Sequence, residues 1–343
     1  MKKYEIDFLK KNQYFYNPKT IQMEITNCCP LKCKQCYKPP GGETYMDFDM
    51  VQKIMKDAYQ CNVKYIMING GEPLIYPHLI DFLKLAKRYK FEIACVTSGY
   101  SLTEEYLNTI IDTGCYFQLD ISLNGSTKEI HELSRDGYDY AMNAISIMNE
   151  CHRPYGFNWV SRTDNIRDFP RLVEFAREKN AIGITVITTK LDGYGRLQSK
   201  LLKEDYLFLS DYINNLEDDF VTVQHCFPYL NRLIKSFNKS RQNKCTSGWS
   251  SICIDVDGFY RPCVHLYNNE KRNSIHEYWM ESPVLEKIRQ AKNITYNNCS
   301  DCIEKEICKT CFCMNEDNMK KLTIGDPLCP IKDIVNKGGR NVL

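Results

Sequence analysis

Long apolar runs are missing from this sequence. No stretch approaches the roughly 20 consecutive apolar residues that a membrane-spanning helix needs, so no membrane span is expected. A charge excess is missing too: 45 Lys and Arg stand against 43 Asp and Glu, for a net charge of +2. That balance gives no pull toward nucleic acid or an anionic membrane surface. The N-terminus, MKKYEIDFLKKNQ, begins basic but develops no apolar h-region. A signal peptide is therefore not expected, and the cytoplasm is the default compartment. Low-complexity tracts and internal repeats are also missing, which argues against solenoid and fibrous architectures. The length of 343 residues suits one large domain or two modest ones, with ample core.

Cysteine is what the sequence has in quantity, 18 residues in all. In a reducing compartment a disulfide framework is not expected, and so many cysteines point to metal or iron–sulfur sites. Cys28, Cys29, Cys33 and Cys36 fall within nine positions of ITNCCPLKCKQCYKPPGGE, residues 25–43. Cys61, Cys95, Cys115, Cys151 and Cys226 are scattered. The last 99 residues hold the other nine: Cys245, Cys253, Cys263, Cys299, Cys302, Cys308, Cys311, Cys313 and Cys329. This composition shift predicts a second, metal-stabilised unit beginning near 240.

Between 20 and 190 short β-type runs alternate with helical patterns. IQMEIT (21–26), VKYIMIN (63–69), FEIACVT (91–97), YFQLDISL (116–123), GFNWV (156–160) and IGITVIT (182–188) are short and rich in Ile, Val and aromatics, as strands are. In 166–179, Phe169, Leu172, Val173 and Ala176 share one helical face. Thr103 suits an N-cap, with Leu102 and Leu107 placed as a hydrophobic staple and Gly114 just past the helix. Cys61, Cys95, Cys115 and Cys151 fall inside these patterns and are expected to be small core residues. Six βα units imply a parallel sheet but are too few for an eight-unit barrel. The expected fold is α/β, a partial (β/α)6 TIM-like barrel with a small cysteine-rich iron–sulfur C-terminal domain.

Ligands of such sheets bind at the C-terminal ends of the strands. The cysteine cluster follows strand one, Gly70-Gly71-Glu72-Pro73 follows strand two, Thr97-Ser98-Gly99 follows strand three, and Ser122, Asn124 and Gly125 end strand four. These loops should converge on one pocket. Cys29, Cys33 and Cys36 form C-x3-C-x2-C, which can reach three corners of a small cluster. A [4Fe–4S] cube normally takes four cysteines, so three leave one iron open. The rival is a four-cysteine zinc site that also uses Cys28.

C-x3-C-x2-C followed by an aromatic, here Tyr37, together with Gly70-Gly71-Glu72-Pro73 at the end of strand two, resembles the radical S-adenosylmethionine (SAM) superfamily. The likeness covers about residues 20–200. It implies that the open iron chelates the amino and carboxylate groups of SAM, with Gly70 and Gly71 letting the backbone approach the amine. Thr97-Ser98-Gly99 stands where relatives often carry Thr-Asn-Gly. SLNGSTKEIHELSRDG (122–137) resembles a further family segment, by which Ser122 contacts SAM and Arg135 pairs with its carboxylate. Asn124 replaces the usual Asp, and His131 is read as structural. The resemblance implies reductive cleavage of SAM to methionine and a 5′-deoxyadenosyl radical that removes a hydrogen atom from substrate. Flavodoxin or ferredoxin is the kind of electron donor it implies.

The C-terminal cysteines run as C-x12-G-x4-C (Cys245, Gly258, Cys263), then C-x2-C-x5-C-x2-C (Cys299, Cys302, Cys308, Cys311), then Cys329. This resembles the SPASM extension, which carries two auxiliary [4Fe–4S] clusters. DVDGFYRPC (255–263) looks like its hairpin, with Asp257-Gly258 as the turn. By the resemblance, Cys245, Cys263 and Cys311 serve one auxiliary cluster, and Cys299, Cys302, Cys308 and Cys329 the other. The family has three residues where two separate Cys308 from Cys311, so Cys313 stands as an alternative to Cys311. Cys253 is either a fourth ligand or a plain buried thiol. A zinc ribbon is the other reading of these four cysteines. The expected domains are an N-terminal extension (1–19), the radical SAM core (20–200), a bridging helical region (201–244) and the SPASM domain (245–343).

Relatives of this kind mostly modify ribosomally made peptides, mature sulfatases, or make quinone and haem-type cofactors. The sulfatase-maturing branch has an Asp directly after the cysteine matching Cys263; Val264 and then His265 stand here. About 20 residues precede strand one, too few for a fused leader-binding domain. A leader would need to bind elsewhere on the chain or through a separate leader-binding protein. Tyr194-Gly195-Arg196 follows strand six, where the family often has Gly-Arg. Cys226, in QHCFPY, is needed by no cluster and suits either packing or return of a hydrogen atom. The expectation is an enzyme acting on a peptide, forming a thioether or carbon–carbon crosslink or an epimer. The alternatives are a cofactor-biosynthetic oxidoreductase and a non-catalytic iron–sulfur electron carrier.

Overall fold

The computed structural model describes residues 2–12, 14–38, 41–190, 201–224, 227–234 and 245–291, with Cys302, Cys311, Cys329 and Lys332. Cys226, Cys299, Cys308, Cys313 and Tyr194-Gly195-Arg196 lie outside the described residues. The six predicted strands are present as β1 (Thr20–Thr26), β2 (Tyr65–Gly70), β3 (Glu92–Thr97), β4 (Tyr116–Ser122), β5 (Phe157–Ser161) and β6 (Ile184–Thr188). Three more follow: β7 (Val221–Val223), β8 (Ser251–Ile254) and β9 (Tyr260–Arg261). They form one sheet in the order β7-β6-β5-β4-β3-β2-β1-β8-β9. Strands β1 to β8 pair in parallel, and β9 returns antiparallel to β8. Neither β7 nor β9 closes on the other, so the barrel is partial.

Helices connect the strands. In chain order they are α1 (Lys3–Asn12), α2 (Phe48–Gln60), α3 (Leu79–Tyr89), α4 (Glu104–Asp112), α5 (Lys128–Glu132), α6 (Tyr138–Glu150), α7 (Phe169–Glu178), α8 (Lys203–Asn214), α9 (Pro228–Leu233), α10 (Ile275–Glu281) and α11 (Pro283–Ala291). Their ends follow the local chemistry. The Asp47 carboxylate caps α2 by accepting from the Met50 N–H at 3.2 Å, and the Thr103 hydroxyl caps α4 by accepting from the Tyr106 N–H at 3.1 Å. Leu102 and Leu107 are both buried beside that cap, as a staple requires. Phe169, Leu172, Val173 and Ala176 are the buried face of α7. Ile21, Met23, Ile66, Ile68 and Ile93 are buried and alternate along their strands with half-buried or exposed residues such as Gln22, Tyr65, Met67 and Glu92, so one face of the sheet carries the core. Cys61 and Cys95 are buried core residues, while Cys115 and Cys151 are half-buried against that core.

Two features differ from the sequence expectation. The segment between 201 and 244 holds a strand as well as helices: β7 extends the parallel order beyond β6. Three residues are too short to carry a periodicity signal. The hairpin read from DVDGFYRPC is present, with Gly258 at φ +79° and the Asp255 carboxylate accepting from the Asp257 and Phe259 N–H groups at 3.1 and 2.9 Å. Its first strand joins the main sheet beside β1, with Thr20 opposite Ser251 and Met23 opposite Ile254.

Candidate active site

The loop after β1 opens onto a cavity of about 260 Å³ at the C-terminal ends of the strands, lined by Cys29, Cys33 and Cys36 together. Cys28 is not part of that lining. It pairs in extended conformation with Gly42, is 9% exposed, and its thiol lies 3.6 Å from the Thr44 carbonyl. Adjacent residues of an extended chain point to opposite sides, which separates Cys28 from Cys29. Burial pushes the Cys29 thiol up to about 11, with smaller contributions from the charge of Glu72 and the neighbouring thiols. Burial also raises Cys36. A metal must displace those protons to bind. Among the described residues no three His, Cys, Asp or Glu side chains converge as a site for a single ion. The fit to a cluster therefore rests on the cavity the three thiols share.

Gly70 and Gly71 are fixed by contact inside the protein. Gly70 has φ +128°, and a Cβ there would lie 1.9 Å from the Thr26 carbonyl oxygen. A Cβ on Gly71 would lie 1.9 Å from the Cys28 carbonyl oxygen. Those two carbonyls accept from the Gly71 and Glu72 N–H groups, each at 2.8 Å. The end of β2 is thus zipped to the start of the cysteine loop, and only glycine permits that approach. Pro73 then opens a short 3-10 turn, Pro73–Ile75.

Glu72 is 2% exposed, and both its carboxylate oxygens are engaged. Oε1 accepts from the Thr97 hydroxyl at 2.6 Å and the Leu74 N–H at 3.1 Å. Oε2 accepts from the Ser98 N–H at 2.8 Å and the Ser98 hydroxyl at 2.5 Å. Burial raises this carboxyl while the four donors oppose the rise. Glu72 thus clamps the ends of β2 and β3 together and presents Thr97 and Ser98 to the cavity. The sequence pattern groups Glu72 and Ser98 with cofactor contacts. In the structure each is also bonded to the other.

Ser122, at the end of β4, is 4% exposed and lines the cavity. Arg135, after α5, lines it too, and its Nε is buried with no hydrogen-bond partner. An orphaned guanidinium N–H beside three thiols is a vacant donor for an anionic ligand group. Asn124, where the family has Asp, is fully buried, donates to the Ser134 hydroxyl at 2.8 Å and accepts from the Val160 N–H at 3.2 Å. His131 is fully buried; its Nδ1 accepts from the Asn124 N–H at 3.3 Å. Nε2 then carries the proton, facing the Asp136 carbonyl at 3.5 Å. Burial, then the Arg135 charge, lowers its pKa from 6.5 to about 4. The unfolded chain therefore binds more protons between those values. Stability should fall as pH drops from 6.5 toward about 4, by up to about 3 kcal/mol for this group. Denaturant midpoints measured across that range should show the slope, and His131→Gln should flatten it.

The far wall comes from later strands: Asn158 on β5, Thr188 at the end of β6 with Thr189 and Lys190 just after it, Gln224 after β7, and Val264 and His265 after β9. The Lys190 ammonium donates to the Cys311 thiol at 3.8 Å. Cys311 thus touches a residue of the cavity wall, and Cys263 directly precedes the two lining residues Val264 and His265. Cys245, Cys302 and Cys329 are half-buried. Gln35, Asn69 and Lys190 escape the sequence reading. Gln35 is 9% exposed, and both polar atoms of its amide are buried without a partner; the Asn69 carbonyl oxygen is likewise unpartnered. The signal for Asn69 is a polar residue ending an apolar strand just before the glycines. Lys190 has no local signal, because its place depends on β6 lying opposite the cysteine loop.

Residues 23–176 match the model of the Radical SAM superfamily. They are a radical SAM domain. The protein is accordingly an enzyme, and the partial barrel is the scaffold of that domain. Similar solved structures extend the likeness of the fold to nearly the whole chain. Streptococcus suis SuiB bound to S-adenosylmethionine has 18% identity and a TM-score of 0.76, over 95% of this chain and 80% of that one. SuiB bound to its precursor peptide SuiA has 19% identity and a TM-score of 0.79, over 95% and 79%. Native anSMEcpe with AdoMet and the Cp18Cys peptide has 16% identity and a TM-score of 0.71, over 94% and 99%. Among the described residues no helix is long and apolar enough to cross a membrane.

Proposed function

We propose that the cavity holds a [4Fe–4S] cluster on Cys29, Cys33 and Cys36 with SAM on its open iron, and that the enzyme modifies a peptide. The observation that carries this reading is the meeting of three thiols, a partnerless Arg135 Nε, Ser122 and the Gly70-Gly71-Glu72 turn in one cavity. Held on these three thiols, a cluster would supply the electron for reductive cleavage of the sulfonium carbon–sulfur bond of SAM, the chemistry that yields methionine and a 5′-deoxyadenosyl radical able to take a hydrogen atom from substrate. The chain's own residues orient the ligand. Arg135 would pair with the SAM carboxylate, Ser122 with its polar groups, and the loop zipped to Gly70 and Gly71 would hold the thiols still. Arg135→Lys keeps the charge but loses the planar fork, so SAM should bind about tenfold more weakly with cluster content unchanged. Titration of SAM against the reconstituted protein reads both.

A peptide substrate is supported by the fold shared with SuiB, whose structure holds a precursor peptide. Two auxiliary [4Fe–4S] clusters are supported by the cysteine spacing, with Cys311 against the cavity residue Lys190 and Cys263 next to the lining residue Val264. Val264, where the sulfatase-maturing branch has Asp, points away from sulfatase maturation. The product would be a crosslink or an epimer, made with an electron donor such as flavodoxin or ferredoxin. Three clusters require about 12 irons per chain after anaerobic reconstitution, whereas about four would remove the auxiliary pair. Incubation with a candidate peptide then reads the reaction by mass. A crosslink loses two hydrogens, and an epimer in light water shows no change. A cofactor-biosynthetic oxidoreductase would leave every peptide unaltered.

A further inference from the structure

Behind the cysteine loop lies a buried polar cluster that ligand binding itself does not call for. Glu24, in β1, is fully buried, and three groups converge on its carboxylate. The Arg261 guanidinium, from β9, donates to Oε2. The Lys38 ammonium lies 2.8 Å from the same oxygen. The Tyr37 hydroxyl donates to Oε1 at 3.4 Å. Tyr37 and Lys38 directly follow Cys36. Arg261 is 2% exposed; its Nε lies 3.6 Å from the Asp255 carboxylate, and its guanidinium sits 5.2 Å over the Tyr267 ring. Two more contacts join the same parts. The Tyr267 hydroxyl donates to the Tyr37 carbonyl at 3.0 Å, and the His265 ring meets the Tyr37 ring edge-on at 4.9 Å.

Two acids and two cations make this a neutral set held away from water. Apolar residues of similar size often give as much stability as a buried ion pair, whereas removing one partner of the pair is costly. A set of this kind selects one arrangement over its competitors. Here the arrangement ties β1 and the segment after Cys36 to a hairpin 237 residues beyond Glu24. We propose that Glu24 is a positioning residue for the cysteine loop. By joining Lys38 to Arg261, it lets the C-terminal hairpin set the loop's conformation. The same hairpin carries Cys253 and leads directly to Cys263. The state of the cysteine-rich half is thereby transmitted to Cys29, Cys33 and Cys36.

The inference rests on the proposed function in its SAM-binding arm only. Glu24→Gln, Arg261→Gln and the double variant are compared with the parent as full-length reconstituted protein. Amide hydrogen exchange over residues 27–38 and the SAM dissociation constant are read together. Each single change should speed exchange in that segment, and weaken SAM binding, at least about tenfold, with exchange in α3 and α7 unchanged. The double variant should be no worse than the worse single one, because the joint is already broken. Exchange over 27–38 within about twofold of the parent in Glu24→Gln, or additive effects in the double variant, overturns the proposal. Tyr267→Phe is the milder variant should Glu24→Gln fail to fold. It should speed exchange in the same segment, and no change there overturns the proposal as well. A parent that binds no SAM, with the exchange effect intact, would sink the cofactor reading and leave the positioning role standing.

Discussion

Cys33→Ala should lose about four irons per chain and yield 5′-deoxyadenosine no faster than a no-enzyme control. Cys28→Ala should keep its iron and its turnover within about twofold of the parent, at a stability cost of about 1 kcal/mol. The contrast follows from where the thiols stand. Cys33 shares the cavity with Cys29 and Cys36, while Cys28 faces the Thr44 carbonyl. A three-cysteine cluster has no spare ligand, so losing one exposes a second iron and the cluster falls apart. Iron analysis and product chromatography on the two variants, reconstituted side by side, read the result. Loss of the same iron from Cys28→Ala would show that the register is shifted and would restore a four-cysteine site.

Glu72→Ala should be the most damaging change away from the thiols. It removes the acceptor of four donors: the Thr97 hydroxyl, the Ser98 N–H and hydroxyl, and the Leu74 N–H. The hydroxyls can turn to other partners, but the two N–H groups cannot. Each buried group left without a partner costs about 1–3 kcal/mol, so a loss of about 3 kcal/mol or more is expected. The same change unfastens β2 from β3 beside the cavity. Apparent SAM affinity should therefore fall with stability, although no ligand contact has been cut. Glu72→Gln keeps one oxygen and places an N–H where an acceptor is needed, so it should fall between Glu72→Ala and the parent. Denaturant unfolding of the three proteins gives the order. A Glu72→Ala protein with unchanged stability and weakened SAM binding would mean that the carboxylate serves the ligand directly.

The meeting of Cys29, Cys33 and Cys36 at one cavity and the six core strands were legible because each is local. C-x3-C-x2-C sits in one loop, and each strand is a short apolar run between helices. The face of α7 and the cap of α4 were legible for the same reason. What was not legible depends on partners far apart in the chain. Glu72 is 26 residues from Ser98, and no spacing rule joins a carboxylate to a hydroxyl on the next strand. Gly70 and Gly71 suggested an approach to a ligand. The approach shown is to the Thr26 and Cys28 carbonyls, a contact made only when β1 and β2 pair. The hairpin around Asp257-Gly258 was legible as a hairpin, but its place beside β1 was not. Strand β7 is too short to signal itself, and Lys190 and Asn158 acquire meaning only once the strands curve around a common cavity.

Cys29, Cys33 and Cys36, if they hold the proposed cluster, should make this protein cleave SAM. The direct measurement is product formation by the anaerobically reconstituted protein given SAM and a low-potential reductant. 5′-Deoxyadenosine and methionine should form in equal amounts, both dependent on the reductant and both absent from Cys33→Ala. A fully iron-loaded, reduced protein that returns SAM intact would contradict that expectation.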